Sequence, residues 1–178
     1  MSNPELDSEE AIIKMREEPA FDRIKSEILT LFAENRGMIL ATSLNDRVTA
    51  RHVSFVNDDL DIYFTSWDHN RKIVQMKGNP NVALSLYNVQ IEGKAEVLSS
   101  VFEEDYKKIS DLFRAKFGPI WLDRFSHIKE LILVKVTPEK IVKFETIHKR
   151  FQLQYVDCKN MKVFQMRLED KNHPNYPY

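Results

Sequence analysis

The sequence predicts an α+β fold dominated by β structure, an antiparallel barrel or sandwich with helices at its periphery. Three observations predict it. Eight or so short stretches carry strand-like apolar patterning, turn-forming residues separate them, and helices interrupt at only a few places, so the βαβ rhythm of a parallel sheet is missing. At 178 residues the chain has the size of one domain, whose core buries roughly two-thirds of the unfolded surface. Residues 1–178 are therefore read as a single domain, with N-terminal helices over about 8–36 and a C-terminal hairpin and tail over about 151–178.

Ser8 can cap a short helix running to about Arg16, which Pro19 interrupts. Phe21, Ile24, Ile28, Leu31 and Phe32 then recur at helical spacing, and Gly37 is read as the close of this second helix. From Met38 the period becomes that of strands: Met38–Leu44, a turn at Asn45-Asp46, Val48–Val56, a turn at Asn57-Asp58-Asp59, then Leu60–Ser66. Asn70 to Lys77 reads as a short helix stopped by Gly78-Asn79-Pro80, and Val82–Tyr87 and Val89–Leu98 as two further strands. In the second of these, Val89, Ile91, Gly93, Ala95 and Val97 share one face, while Gln90, Glu92, Lys94 and Glu96 share the other, as in a half-buried strand. Gly93 has no side chain to pack there, which predicts a bulge or a close backbone approach.

Ser100 and Glu103 have the spacing of a capping box for a helix with the stripe Phe102, Tyr106, Ile109, Leu112 and Phe113, ending near Gly118-Pro119. A short aromatic segment holds Trp121 and Phe125. Leu131–Val136 and Ile141–Phe144 read as two strands around Pro138, and Phe151–Val156 with Met161–Leu168 as a closing hairpin. The Pro- and Asn-rich tail from Lys171 to Tyr178 is either frayed or ordered by a partner.

Composition narrows the function. With 26 basic and 27 acidic side chains and no long block of one sign, the chain has no footprint for nucleic acid or a membrane surface. The single cysteine, Cys158, has no partner for an internal disulfide, the start from Met1 to Glu10 lacks the basic-then-apolar order of a secretory signal, and no run of about 18 apolar residues occurs. The expectation is a cytoplasmic protein.

Only four glycines are present, so neither the dinucleotide fingerprint nor the phosphate-binding loop exists here. A phosphate would need arginine and lysine side chains, whose charge-assisted hydrogen bonds require no close backbone approach. Two places offer them. Arg51 sits mid-strand on the face of Val53 and Phe55, and Arg71-Lys72 opens the short helix, where free N–H groups and the helix dipole add to anion binding. The alternative is that all three are solvated surface charges. The histidines show neither a zincin pair nor a Cys/His ladder, so no metal site is expected; Asp68-His69 reads as a solvated turn and Cys158 as a bystander thiol.

Taken in order, Arg51–Val56, Phe64-Thr65, Arg71-Lys72, Asn79-Pro80 and Ile91-Glu92-Gly93-Lys94-Ala95-Glu96 resemble the pyridoxamine-phosphate-oxidase-like flavoproteins, including their general-stress-protein branch, over roughly residues 35–100. The resemblance implies a split β-barrel that binds flavin mononucleotide (FMN). It implies a cofactor set of Arg51, His52, Val53 and Ser54 along the isoalloxazine and ribityl chain, with Phe64, Thr65, Arg71 and Lys72 at the ring edge and phosphate. Asn88 stands where the vitamin oxidases have a flavin-contacting glutamine, five residues before the position of Gly93. Ile147-His148-Lys149-Arg150-Phe151 is similar to the family's terminal His-x-Arg-aromatic stretch, which implies a flavin role for Arg150 and a substrate-side place for His148.

The substrate side departs from the vitamin oxidases. Their substrate lysine is Val56 here, their substrate arginine is Thr146, and their serine-rich middle segment is not recognisable between Arg114 and Ile128. The resemblance therefore carries over the cofactor and not the substrate. It implies an FMN-dependent oxidoreductase, with a flavin- or haem-binding stress or storage protein and a deazaflavin (F420)-dependent reductase as alternatives, and a homodimer with its flavins at the subunit interface. Trp67, Trp121 and Phe125, in turn-like segments, are read as aromatics that such an interface would cover.

Overall fold

The computed structural model describes residues 19–128, 130–147 and 150–167, with the backbone alone for Ile147, Arg150 and Arg167. The helix expected over Ser8–Arg16, residue Leu168 and the tail fall outside these residues. In chain order the elements are α1 (Phe21–Glu34), β1 (Gly37–Leu44), β2 (Arg47–Asp58), β3 (Asp61–Trp67), α2 (Arg71–Gly78), β4 (Asn81–Leu86), β5 (Val89–Ser100), α3 (Lys107–Phe117), α4 (Pro119–Asp123), β6 (Leu131–Ile147), β7 (Arg150–Asp157) and β8 (Lys162–Arg167).

Every strand pairs antiparallel with its neighbours, in the order β3-β2-β1-β4-β5-β6-β7-β8, and β3 also pairs with β6. That last pairing closes the first six strands into a barrel and leaves β7 and β8 as an extension beyond β6. The β1–β2 hairpin turns through Asn45 and Asp46, both with positive φ (50° and 57°), the backbone that matches the natural twist of two paired strands and that Asn and Asp tolerate best.

Alternation along each strand separates two cores. The barrel interior holds Met38, Leu40, Val53, Phe55, Ile62, Phe64, Leu84 and Ile91, joined by Ile24, Ile28 and Phe32 from α1 and by Ile73 and Met76 from α2. Outside the barrel, Val56, Tyr63, Leu131 and Leu133 form a second apolar surface under Ile109, Phe113 and Leu122 of α3 and α4. The two helices, α1 and α2, sit towards opposite ends of β1. Phe55 N–H donates to Arg36 O just beyond α1, whereas α2 packs at the hairpin end, where Gly78 meets the Leu44 side chain.

Three expectations need correction. Gly37 does not close α1: that helix ends at Glu34, Asn35 follows in extended conformation, and Gly37 begins β1. Its missing side chain makes room for the His52 ring, since a Cβ at Gly37 would lie 2.0 Å from Cε1. The two strands expected around Pro138 are one, β6, because Pro138 stands opposite Gly93 at a register shift, where a proline lacking its N–H costs the ladder nothing. Gly93 is that bulge, and a Cβ there would lie 2.4 Å from the Thr137 carbonyl oxygen. The capping box is also absent: Glu103 accepts from the Ser99 hydroxyl at 2.6 Å, and a 3₁₀ turn over Glu104–Tyr106 leads into α3. The half-buried aromatics read as interface residues also have partners within the chain. Trp121 stacks on Phe117 (centroids 4.6 Å) and Phe113 (5.6 Å), and Trp67 meets Phe125 edge-on at 6.2 Å.

Candidate functional site

A charged residue on the inner face of a barrel strand must find hydrogen bonds or an opposite charge. Arg51 shares its face with the buried Val53 and Phe55 and pairs with Leu40 across the β1–β2 ladder. Its Nη1 donates to Thr42 Oγ1 at 2.6 Å and to Leu40 O at 3.3 Å, while Nη2 donates to Thr49 Oγ1 and, at 3.4 Å, to Gln75 Oε1. Thr42 and Thr49 face each other across the ladder near the Asn45-Asp46 turn. Gln75 reaches them from α2, its Oε1 accepting from both hydroxyls at 2.8 Å and its Nε2 donating to Arg47 O at 3.1 Å. Arg51 is thus a built-in part of the barrel rim rather than a solvated charge.

The same helix brings the other two cations. Arg71 and Lys72 occupy its first turn, where N–H groups have no carbonyl behind them within the helix. Burial and then the charge of Arg71 lower the Arg51 pKa, and burial and then the charge of Arg51 lower that of Lys72. Arg51 thus feels the charge of Arg71, and Lys72 that of Arg51, and among the described residues no carboxylate forms an ion pair with any of the three. Such a cluster is repaired by an anion, and a phosphate suits both its charge and its donors.

The remaining residues expected at the cofactor are distributed differently. His52 and Ser54 alternate with Arg51 and point to the outer face of β2, where His52 is exposed. Val53 and Phe64 put their side chains into the barrel core, so only their backbone lies near a surface. Thr65 is half-buried on the outer side of β3, the side of Tyr63. Asn88 is exposed at the β4–β5 turn, away from the cationic cluster, and its amide donates to Phe144 O at 2.6 Å. Arg150 begins β7, but its side chain and all of His148 lie outside the described residues.

On the substrate side, Val56 is buried beneath α3 and α4, and Thr146 is exposed near the end of β6. Sequence reasoning missed Thr42, Thr49 and Gln75. The available signal was a glutamine between Ile73 and Met76 on the apolar side of α2, and two threonines equidistant from the Asn45-Asp46 turn. Among the described residues no group of three or more His, Cys, Asp or Glu side chains is placed to hold a metal.

A closed six-stranded antiparallel barrel with extra strands and a few helices places the chain in the split-barrel class. The family model for pyridoxamine 5′-phosphate oxidase matches residues 24–144, and the chain belongs to that family. No curated protein matches it. Similar solved structures include general stress protein 26 of Bacillus anthracis, 23% identical over 67% of this chain and 92% of that one, with a TM-score of 0.52. The haem storage protein HutZ of Vibrio cholerae is 18% identical over 66% and 92%, at 0.57. PhzG of Burkholderia lata, solved with tetrahydrophenazine-1-carboxylic acid, is 16% identical over 94% and 97%, at 0.59. At these identities the likeness shows the fold.

Proposed function

We propose that this chain binds FMN and acts as an FMN-dependent oxidoreductase that is not itself a pyridoxamine 5′-phosphate oxidase. The observation that carries the reading is the convergence of Arg51, Arg71 and Lys72 with no ion-paired carboxylate among the described residues. Membership of the family supports a flavin as the owner of the phosphate. Bound there, the ring supplies hydride or electron transfer, while the chain binds, orients and shields it. The residues fit that division of labour: the cations hold the phosphate, and His52 and Ser54 offer polar groups along the outer face of β2. Val56, buried and uncharged, offers no charge for a second phosphate at the position where the vitamin oxidases have their substrate lysine.

The working unit in this reading is a cytoplasmic homodimer. A barrel packed with its own side chains has no room for a flavin, so the pocket must lie outside it. The outer face of β1 and β2 exposes Ile39 (43%) and Val48 (67%), beside an open cleft of about 360 Å³ that includes Ala41 and Ala83. A second copy covering that face would bury it on both subunits. Among the described residues no helix is long and apolar enough to cross a membrane.

The test is the visible spectrum of freshly purified protein together with the mass of its extracted ligand. A flavin spectrum and the mass of FMN are expected. A Soret band with haem, or a deazaflavin mass, would replace this reading with one of its alternatives.

A further inference from the structure

Gln75 is 3% exposed and sits on α2 one turn after Arg71 and Lys72. A buried glutamine that only anchored a helix would need one partner at each end of its amide. This one does more. Its Oε1 takes the hydroxyl protons of Thr42 and Thr49, each at 2.8 Å. A hydroxyl has one proton to give, so once it is given to Gln75 the oxygen's lone pairs are left to accept. Both hydroxyls do accept, from Nη1 and Nη2 of Arg51. The bond from Nε2 to Arg47 O fixes which end of the amide faces the threonines. The result is a directed relay, from guanidinium to two hydroxyls to one carbonyl oxygen, in which each link polarises the next.

We infer that Gln75 is a positioning residue for the anion site: by orienting the Thr42 and Thr49 hydroxyls it holds the Arg51 guanidinium in register with Arg71 and Lys72, and so sets the protein's preference for a phosphorylated over an unphosphorylated ligand. The inference rests on the FMN reading above. It adds that the preference depends on a residue that does not itself touch the phosphate. All four terminal N–H positions of Arg51 are engaged by Leu40, Thr42, Thr49 and Gln75. Arg51 therefore acts on the ligand through its placed charge and its remaining Nε–H.

The experiment compares FMN and riboflavin affinities, by fluorescence titration, in the wild type, Gln75→Met, Gln75→Glu, Arg51→Met and the double variant Arg51→Met/Gln75→Met. Gln75→Met removes the acceptor at similar volume. Gln75→Glu keeps the acceptor but sets a negative charge against Arg51. Each is expected to weaken FMN about tenfold or more, the scale of one hydrogen bond to a charged group, and to leave riboflavin unchanged. In the double variant Gln75→Met should add nothing to the effect of Arg51→Met. If Gln75→Met does not fold, Thr49→Val removes one hydroxyl of the relay and is expected to shift the preference in the same direction. A wild type that binds both flavins equally would refute the FMN reading. A wild type that prefers FMN, with folded Gln75 or Thr49 variants that prefer it equally, would overturn this inference alone.

Discussion

The Nζ of Lys116 stands 3.9 Å above the ring of the fully buried Phe55, and it also donates to the carbonyl oxygen of Phe32 at 2.9 Å, in the last turn of α1. The C-terminal carbonyls of a helix favour a cation. Burial nevertheless outweighs them and, with the charge of Arg36, brings the Lys116 pKa down from 10.5 to about 8. A lysine whose folded pKa is depressed is penalised by folding wherever the unfolded chain would be protonated. Between about pH 8 and 10.5 the unfolded state holds a proton that the native state has shed, so stability rises with pH across that window. Urea unfolding followed from pH 7 to 10 should show this rise, and Lys116→Met should flatten it. An identical slope in the variant would show that Lys116 is charged at no cost.

Gly37 and Gly93 both approach other chain segments closely but differ in what they meet. At Gly93 an added methyl would lie 2.4 Å from backbone, the Thr137 carbonyl oxygen, so Gly93→Ala should cost about 1–3 kcal/mol, the usual penalty of forced overpacking. At Gly37 it would meet the ring of His52, an exposed side chain with freedom to turn. Gly37→Ala should therefore lower the thermal midpoint much less than Gly93→Ala. The reverse order would contradict the assigned bulge.

Sequence legibility followed how local each cause is. The β5 alternation placed Val89, Ile91, Gly93 and Ala95 on the buried face as observed, because a period of two needs no knowledge of the partner strand. The Ser100–Glu103 motif failed because Ser99 supplied a competing hydroxyl for the same carboxylate. Arg51, Arg71 and Lys72 were legible as candidates from charge at strand and helix positions. The relay behind Arg51 was not, since Gln75 and Thr42 meet only once α2 folds back over the β1–β2 hairpin. The packing of Trp121 within the chain was hidden for a similar reason: its partners Phe113 and Phe117 come from α3, folded against it.

Cys158 is half-buried, and burial together with Asp157 pushes its thiol up to about 11. The thiolate fraction at pH 8 is then on the order of one in a thousand, and the thiolate is the reactive form. Labelling of the native protein by a disulfide reagent at pH 8 should be much slower than that of the urea-unfolded chain. Equal rates would mean that Cys158 is a reactive thiol.

Pyridoxamine 5′-phosphate should be oxidised slowly or not at all. Val56 lies in the core beneath α3 and α4, where neither a charge nor a substrate phosphate has access. Steady-state oxygen consumption with this substrate is the measurement. Turnover on the order of 10 per second, ordinary for an enzyme, would show that other residues had taken over the substrate side.

If Arg51, Arg71 and Lys72 are the phosphate site of a flavin, the chain must tell FMN from riboflavin. The two ligands share a ring and differ in the phosphate. FMN should bind more tightly, and Arg71→Ala should remove about 1.5–3 kcal/mol of FMN binding, the scale of a hydrogen bond to a charged group, with riboflavin unaffected. The lowered pKa of Lys72 adds a direction with pH: the anion needs the protonated amine, so the FMN advantage should fall as pH rises, earlier than for an ordinary lysine. Equal affinities for FMN and riboflavin, unchanged by Arg71→Ala, would mean that these three cations hold no flavin phosphate.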